Sequence, residues 1–495
     1  MGAGEFWQGI FFVRFPLAGL HSSALIRLPS RFMDFWRADF LGCGLQLPAV
    51  GVVGSFRGMK HTFFRTAVWW AAVLLMAGQS VSLGQPAGFN YDEAKVGTYT
   101  LPDPLTLVSG AKVTDVETWR TKRRPEVVRL FETQQHGRSP ARPAELKFVV
   151  TATDKNALGG KATRKEITVR FGAGADAALM HLLLYVPNSA RGPVPAFVGV
   201  NFEGNHTVTS DPGITITEQW VWNSKEKRSE RMRPAESTRD KRVGSWAVET
   251  LLARGYALAT IPRADIEPDY AEGWRHGVRG YFLQQAGRTE FAADDWGAVA
   301  AWAWGLSRAL DYLETDQDID AKNVVVMGHS RMGKAALWAG ASDERFAGVI
   351  SNDSGESGAA ISRRWFGETV ERINTSFPHW FCANYKRYNK DVAALPVDAH
   401  LLVALIAPRP VYIASAAEDT WADPKGEFLA AKHAEPVYRL FGKAGLGVEE
   451  WPAVDQPVGK VVSYHVRTGK HDVLAYDWEQ YLNFADRNLR IVKTP

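Results

Sequence analysis

Short apolar runs alternate with longer amphipathic segments along most of the chain. Runs rich in β-branched residues between turn residues are typical of strands, and apolar residues three or four positions apart are typical of helices. These patterns predict strands at 146–153, 164–171, 179–186, 196–201, 256–262, 324–327, 346–353, 409–419 and 461–467. They predict helices at 124–135, 246–254, 295–314, 334–340 and from about 474 onward. The alternation indicates a mostly parallel sheet with helices on both faces, preceded by one antiparallel pair of strands.

Three polar stretches interrupt this pattern. Residues 85–144 are rich in proline and charge and are predicted to wrap around the N-terminal side of the domain. Residues 218–242 are rich in Lys, Arg and Glu and are predicted to be an insertion loop whose charges form a solvated face. Residues 435–459 are predicted to be a second, late insertion.

The segment from 59 to 84 has the pattern of a secretory signal peptide. A short cationic region begins at Met59, an apolar run covers 66–78, and small residues follow at 82–84. The apolar run is shorter than the roughly 20 residues that span a membrane, although an anchor or a buried helix is the alternative. We therefore expect residues 1–58 to be a doubtful extension, the mature chain to begin at Gln85, and residues 85–495 to form one domain of a secreted or periplasmic bacterial protein.

Composition excludes several classes of function. The 495 residues are 46% hydrophobic and 23% charged with a formal net charge of +4, and basic runs interleaved with aromatic residues are absent, so nucleic-acid binding is not expected. Cys43 falls in the predicted leader, which leaves Cys382 without a partner for a disulfide. Neither a zinc-type ligand spacing nor a phosphate-binding glycine loop occurs, so we expect no metal or organic cofactor.

The segment from Val324 to Trp338 places a serine between an apolar strand and an alanine-rich helix. Gly328 and Gly333 flank Ser330 in a Gly-x-Ser-x-x-Gly spacing, close to the Gly-x-Ser-x-Gly nucleophile elbow of α/β-hydrolases. Such a turn lifts the hydroxyl above the sheet, beside a helix N-terminus that favours the negative charge of a tetrahedral intermediate. The alternative is an ordinary strand–loop–helix in which Ser330 caps the helix.

In the order typical of that fold, the acid and then the histidine follow the nucleophile. His471 lies on a glycine-containing loop after the predicted strand 461–467 and is the predicted base, whereas His465 lies within that strand and is predicted to be a packed side chain. Asp353 and Asp419 each end a predicted strand, and either could orient His471 and stabilise its imidazolium form. We favour Asp419, because it follows the strand that usually carries the acid.

The motif Gly-His-Ser-Arg-Met-Gly-Lys at 328–334 resembles the Gly-Cys-Ser-Arg-x-Gly-Lys signature of glucuronoyl esterases, carbohydrate esterase family fifteen, in its bacterial branch. The resemblance runs from about 103 to 488. It includes further motifs in order at 119–126, 199–207, 351–355, 359–364, 418–428 and 468–472. This resemblance implies a three-layer α/β-hydrolase sandwich with loop insertions around the active site.

The resemblance also implies residue roles. Ser330 matches the nucleophile, His471 the base, Asp353 the acid site of fungal members, and Asp419 an acid site of bacterial members. Arg331 matches an arginine that helps to bind the oxyanion, and its fork of donors suits that task. The residues that match those holding the glucuronate ring are Lys334, Glu368 and Trp421.

Two departures from the family pattern concern the same region. His329 stands where fungal sequences have cysteine, and Ser357 stands where glycine is more usual. The second departure bears on the shape of the loop after Asp353, and so on which acid dominates. Lys334 lies one helical turn beyond Ser330, so its side chain is expected near the same surface.

The resemblance implies a serine esterase that cleaves the ester between 4-O-methyl-glucuronic acid on xylan and lignin alcohols through an acyl-enzyme, and we expect the protein to be a monomer. Its partner is then a glucuronoxylan–lignin ester, with no membrane association after removal of the leader. One alternative is an acetyl-xylan or feruloyl esterase, which shares the triad but does not need Lys334 and Glu368. Another is a non-catalytic carbohydrate-binding member of the fold.

Overall fold

The computed structural model describes residues 86–172 and 177–489. The predicted extension, the leader, Cys43 and the expected mature start at Gln85 lie outside these residues. Within them, ten strands form one sheet in the order β1-β2-β3-β7-β4-β8-β9-β10-β12-β11, and β5 pairs with β6 separately. The strands are β1 Leu146–Asn156, β2 Ala162–Phe171, β3 Ala178–Pro187, β4 Val194–Asn201, β5 Gln219–Asn223, β6 Arg228–Met232, β7 Ala257–Pro262, β8 Ile319–His329, β9 Gly348–Asn352, β10 Val411–Ala416, β11 Val458–Gly459 and β12 Val462–Arg467.

The centre of the sheet is parallel and its first edge is antiparallel. Strands β7, β4, β8, β9, β10 and β12 pair in parallel, while β1, β2, β3 and β7 pair antiparallel in succession. The predicted mostly parallel sheet and the predicted antiparallel pair are therefore confirmed. Parallel strands end at the same edge of a sheet, so the loops after β8, β9, β10 and β12 converge.

Helices cover both faces of this sheet. The longer ones are α1 Arg124–Gln134, α2 Val248–Ala253, α3 Val278–Gln285, α4 Ala298–Leu313, α5 Arg331–Ser342, α6 Val370–Ser376, α7 Ala399–Ala404, α8 Pro424–Leu440 and α9 Ala475–Asn488. One-turn helices lie at Val116–Thr118, Ala157–Gly160, Val243–Trp246 and Arg263–Ile266. None of the helices in the described part of the chain is both long and apolar enough to cross a membrane.

Alternate residues of the central strands enter two separate apolar cores. On β8, Val324 and Val326 pack in the larger core with α4 and α5, whereas Val325 and Met327 pack in the smaller core with α2 and α9. Successive side chains of a strand point to opposite faces, so one continuous apolar run supplies both layers. This explains why the strand before Ser330 is apolar at every central position.

The prediction of an insertion loop at 218–242 is wrong in one respect. Its first part folds as the antiparallel hairpin β5–β6, in which Trp220 stacks on His276 with ring centroids 3.8 Å apart. β5 reads Gln-Trp-Val-Trp-Asn, a run of aromatic and β-branched residues that is typical of strands and that the high charge of the segment obscured. The predicted late insertion at 435–459 also begins inside a helix, because α8 continues to Leu440.

His136 is a fully buried histidine without a polar partner among the described residues. Both of its ring nitrogens are buried and unpaired, and the ring stacks on Trp338 at 4.5 Å between centroids. Burial lowers its pKa from 6.5 to about 3. His136 is therefore neutral in the folded state at pH 7. In mild acid this histidine is protonated in the unfolded chain and must lose its proton for the chain to fold.

We expect His136→Phe to flatten the acid dependence of stability. Between pH 6.5 and pH 3, His136 binds a proton in the unfolded wild-type chain but not in the folded one. The free energy of unfolding therefore keeps its full value above pH 6.5 and falls as the pH decreases below it. The contribution is about 1.4 kcal/mol for each pH unit in this window. Urea unfolding at several pH values from 7 to 4 measures the slope, and an unchanged slope in the variant would contradict this account.

Candidate active site

Ser330 lies at a strained turn between β8 and α5. Its backbone has φ 57° and ψ −130°, a conformation that costs a non-glycine residue free energy. The turn is tight enough that a Cβ on Gly328 would lie 2.0 Å from the carbonyl oxygen of Met332, which explains that glycine. The backbone N–H of Ser330 donates to the carbonyl of Asn352 at 2.8 Å, tying the turn to the end of β9. The serine side chain is thereby held at the start of a twelve-residue helix.

His471 is hydrogen-bonded to Asp419. Nδ1 of the imidazole lies 2.6 Å from Oδ2 of the carboxylate, which is 6% exposed, and the imidazole itself is 43% exposed. Asp419 follows β10 and His471 follows β12, two adjacent parallel strands, so their loops meet at one edge of the sheet. Nδ1 donates to the carboxylate, which leaves Nε2 as the nitrogen that can accept a proton.

Asp353 lies behind this pair and is buried. The ligand atoms of Asp353, Asp419 and His471 lie within 4.8 Å of one another, a spacing that could also hold a metal ion. Neither carboxylate oxygen of Asp353 has a hydrogen-bond partner among the described residues, and Arg467 Nη2 lies 3.7 Å away. Burial, and then the charge of Asp419, raise the pKa of Asp353 well above its usual range. Asp353 is thus a carboxyl group that resists ionisation.

The guanidinium of Arg467 organises the loop that carries His471. It donates to the backbone carbonyls of Thr468, Lys470 and Asp472 at 3.1, 3.0 and 2.6 Å. Its Nε donates to Asp477 on α9 at 2.8 Å. The loop is therefore fixed from beneath by a buried cation.

A cavity of about 300 Å³ opens beside Ser330, and we call it the site cavity. Ser330 and His471 both line it, together with Phe202, Arg242 and Trp246 from the loop after β4 and the segment after the hairpin. An ester carbonyl held above Ser330 would have one substituent inside this cavity. The arrangement fits attack by Ser330 with His471 as the base.

Arg331 follows the serine and lies partly exposed in the same cavity. Nη1 donates to Oδ2 of Asp269 at 2.6 Å, and the guanidinium lies over the ring of Trp380, 4.7 Å from its centroid. Nε is buried and has no partner in the described ranges. A partly exposed guanidinium next to a nucleophile suits the binding of an oxyanion.

Lys334, Glu368 and Trp421 form a second group of residues, outside the lining of the site cavity. Nζ of Lys334 is buried and donates to the backbone carbonyls of Ser354 and, at 2.8 Å, Glu356. Burial raises the pKa of Glu368, and the charge of Lys334 opposes that rise. The backbone N–H of Glu368 donates to the carbonyl of Trp421 at 3.0 Å. The charge of Lys334 thus lies near the carboxyl group of Glu368, and Trp421 is joined to Glu368 through the backbone.

The described chain resembles known esterases along most of its length. A family model of fungal glucuronyl esterases matches residues 280–442. A carbohydrate esterase from an unknown prokaryotic organism is 51% identical over 82% of this chain and 93% of its own. A solved glucuronoyl esterase from Solibacter usitatus is 53% identical, with a TM-score of 0.76, over 80% of this chain and 99% of that chain. A solved promiscuous esterase of carbohydrate esterase family 15 from a marine bacterial metagenome is 50% identical, with a TM-score of 0.75, over 81% and 100% of the two chains.

The chain belongs to carbohydrate esterase family 15, the glucuronoyl esterases. The resemblance drawn from the sequence motifs is therefore confirmed, and so is the α/β-hydrolase fold that it implied. Members of this family are carboxylic ester hydrolases, which agrees with the class of enzyme expected from the serine elbow.

In the structure of this family 15 member, Ser330, Arg331 and His471 line the site cavity, and Asp353 and Asp419 cluster with His471. The residues of the second group are Lys334, Glu368 and Trp421. The rival histidine, His465, is fully buried and hydrogen-bonded to Asp477 at 2.9 Å and to Tyr412 at 3.0 Å. It is a packed side chain away from the site, as its position within a strand indicated. His329 lies beside His471, 4.4 Å between ring centroids, and burial followed by the charge of His471 holds its pKa well below 6.5.

Three residues of the site were not predicted, because no sequence motif marks them. Asp269 holds Arg331, Arg467 holds the His471 loop, and Arg242 lines the site cavity. Asp269 does share one signal with the two acids, because it lies shortly after a buried strand, β7. Its partners come from distant segments, and local sequence patterns carry no information on such pairs.

Proposed function

We propose that this esterase hydrolyses the ester between (4-O-methyl-)glucuronic acid on xylan and an alcohol of lignin. The observation that carries the proposal is that Lys334, Glu368 and Trp421 form a group separate from the lining of the site cavity, while Glu368 lies near Arg331 and Asp419 of the catalytic machinery. A uronate ester has the same two parts: a sugar ring with hydroxyl groups on the acyl side and an alcohol on the other. The two halves of the site thus correspond to the two halves of the substrate.

Acylation begins when Oγ of Ser330 attacks the uronate carbonyl carbon. His471 accepts the serine proton at Nε2, and Asp419 stabilises the resulting imidazolium through the 2.6 Å contact at Nδ1. Negative charge collects on the former carbonyl oxygen, where the start of α5 and the partly exposed guanidinium of Arg331 stabilise it. This stabilisation is larger in the transition state than in the bound ester, which is what accelerates the reaction.

Collapse of the intermediate breaks the bond to the alcohol oxygen. His471 returns its proton to that oxygen, the alcohol leaves through the site cavity, and the glucuronoyl group stays on Ser330. A water molecule, deprotonated by His471, then attacks the acyl carbon. The bond from that carbon to Oγ of Ser330 breaks, His471 returns the proton to Oγ, and the acid is released. No step of this sequence calls on a metal or an organic cofactor.

The sugar ring is recognised by hydrogen bonds and stacking. Glu368 accepts from ring hydroxyls, and Trp421 offers an aromatic face that is held at one edge by Phe89, 4.9 Å between centroids. Lys334 shapes the loop after β9 through its two carbonyl contacts and places a positive charge beneath the uronate. An acetyl or feruloyl group lacks the hydroxyl pattern that these residues meet.

We expect Glu368→Gln to reduce kcat/KM on benzyl glucuronate by about 10- to 100-fold, because a hydrogen bond to a charged group is worth about 1.5–3 kcal/mol. Activity on p-nitrophenyl acetate, which has no sugar ring, should stay within about twofold. Steady-state kinetics on both esters measures the contrast. Glu371→Gln, a nearby change at an exposed position of α6, serves as the control.

A substrate panel separates this proposal from its alternatives. Rates are compared for benzyl glucuronate, an acetylated xyloside and a feruloyl ester. Preference for either of the last two would favour an acetyl-xylan or feruloyl esterase. If a fluorophosphonate probe failed to label Ser330, a non-catalytic carbohydrate-binding role would be supported instead.

We also infer that the enzyme acts outside the cytoplasm. A xylan–lignin ester is part of an insoluble polymer that does not enter a cell, and the sequence from Met59 has the pattern of an export signal.

A further inference from the structure

Arg331 reaches the oxyanion only if its side chain is held in place. An arginine side chain has about 2 kcal/mol of rotamer entropy, so a free guanidinium stabilises a transition state poorly. Arg331 follows the nucleophile directly and its side chain is 28% exposed. The group that restrains it therefore determines how well it is preorganised for the reaction.

One buried carboxylate supplies that restraint. The side chain of Asp269 is 3% exposed, and its Oδ2 accepts from Nη1 of Arg331 at 2.6 Å and from Nη1 of Arg263 at 2.5 Å. Its Oδ1 lies 3.0 Å from Nε2 of His379 and accepts from Nε1 of Trp380 at 2.8 Å. Burial alone would raise the pKa of Asp269. The hydrogen bond from His379 and the charges of Arg263 and Arg331 outweigh burial and hold that pKa well below its usual range.

The same carboxylate also orients the ring beneath the guanidinium. Trp380 is buried and stacks on Phe377 at 3.9 Å between centroids, and the guanidinium of Arg331 lies over both rings at 4.7 and 5.4 Å. The hydrogen bond to Asp269 fixes the rotation of the indole in its own plane. Arg331 is thus restrained in two independent ways, by a hydrogen bond at the end of its side chain and by an aromatic ring against the face of its guanidinium. Both restraints depend on the side chain of Asp269.

We propose that Asp269 is a positioning residue for the esterase reaction, which it serves by holding the guanidinium of Arg331 where the oxyanion forms. Asp269 touches neither substrate nor nucleophile, so its effect passes through Arg331. The inference rests on the proposed function only to the extent that an ester is attacked by Ser330. It holds for any acyl group, since every ester forms the same oxyanion.

The test is a double-mutant cycle between Asp269→Asn and Arg331→Ala, measured on benzyl glucuronate and on p-nitrophenyl acetate. Asn keeps the size of Asp269 but loses the charge that binds the guanidinium. We expect Asp269→Asn alone to lower kcat by about 10- to 100-fold, with KM changed less than about threefold. In the Arg331→Ala background the same substitution should change kcat by less than about threefold.

Equal losses of kcat in both backgrounds would overturn the proposal, because a purely structural carboxylate damages the enzyme whether or not Arg331 is present. The matched control is Asp265→Asn, on the same segment, whose carboxylate is 5% exposed and binds His181 instead. It should leave kcat near that of the wild type. If kcat on benzyl glucuronate did not change among the variants while the cycle on p-nitrophenyl acetate still showed coupling between Asp269 and Arg331, the proposed substrate would be refuted and this inference would stand.

A second variant covers the case in which Asp269→Asn does not fold. Trp380→Phe keeps an aromatic ring on Phe377 and removes the N–H that binds Asp269. We expect a smaller loss of kcat, about 3- to 10-fold, that again disappears in the Arg331→Ala background. A loss that persists there would contradict the proposal.

Discussion

Ser330→Ala is expected to lower kcat/KM on glucuronate esters by about five to six orders of magnitude, since removal of a triad nucleophile removes the covalent route entirely. Alanine keeps the Cβ and therefore the positive φ of the elbow, so the backbone strain is unchanged and the fold should be retained. Single-turnover kinetics with a chromogenic ester, together with thermal unfolding by circular dichroism, measures both effects.

Ser342→Ala is the matched control for this change. Ser342 ends the same helix, α5, and its hydroxyl donates to the carbonyl of Trp338 at 2.6 Å, far from the chemistry. It should keep wild-type kinetics and the capacity to react with a fluorophosphonate probe. Near wild-type turnover by Ser330→Ala would remove this serine from the mechanism.

The second large effect is expected at the acids, where Asp419→Asn should lower kcat by about 10³- to 10⁴-fold. Asparagine can donate as well as accept, so it no longer selects the tautomer with hydrogen on Nδ1 and cannot stabilise an imidazolium. Asp353→Asn should cost less than about tenfold. The raised pKa of Asp353 makes its neutral form accessible, and an amide of the same size imitates that form.

The comparison needs both single variants and the double variant, each measured as kcat/KM on a glucuronate ester. Asp353→Asn with Asp419→Asn should approach the loss caused by His471→Ala. If Asp419→Asn kept near wild-type activity while Asp353→Asn was crippled, the dominant acid would be Asp353, and the 2.6 Å contact of His471 would be incidental.

The sequence predicts those parts of the site that depend on local pattern. The glycines around Ser330 predict an elbow, because a Cβ at Gly328 cannot fit. The atoms that exclude this Cβ lie within five residues in the sequence, so the requirement is local. Strands and helices of the central sheet are likewise announced by their apolar spacing. Their ends are less well predicted: β8 begins at Ile319 rather than near 324, because Asp320, Lys322 and Asn323 interrupt the apolar pattern of the strand.

The contacts of the site that local sequence patterns do not predict depend on pairing between segments far apart in the chain. Asp353 and Asp419 both follow strands, and only the alignment of β10 with β12 brings Asp419 to Nδ1 of His471. Asp353 instead has its backbone N–H tied to Ala414 on β10 at 2.7 Å, which draws its side chain into the interior. Asp269 meets Arg331 across 62 residues of chain, a separation at which neither periodicity nor motif gives a signal.

The two halves of the site are carried by separate stretches of chain, and this bears on how the enzyme can diversify. Glu368 and Trp421 share a backbone hydrogen bond, so the sugar side changes as a unit and tolerates little drift. Arg242 and Trp246, by contrast, follow a hairpin that lies outside the main sheet. If the alcohol occupies the site cavity as we propose, insertions, deletions or recombination in that hairpin should change the preferred alcohol more than the preferred acyl group. Directed evolution toward new alcohols should therefore begin at 218–246.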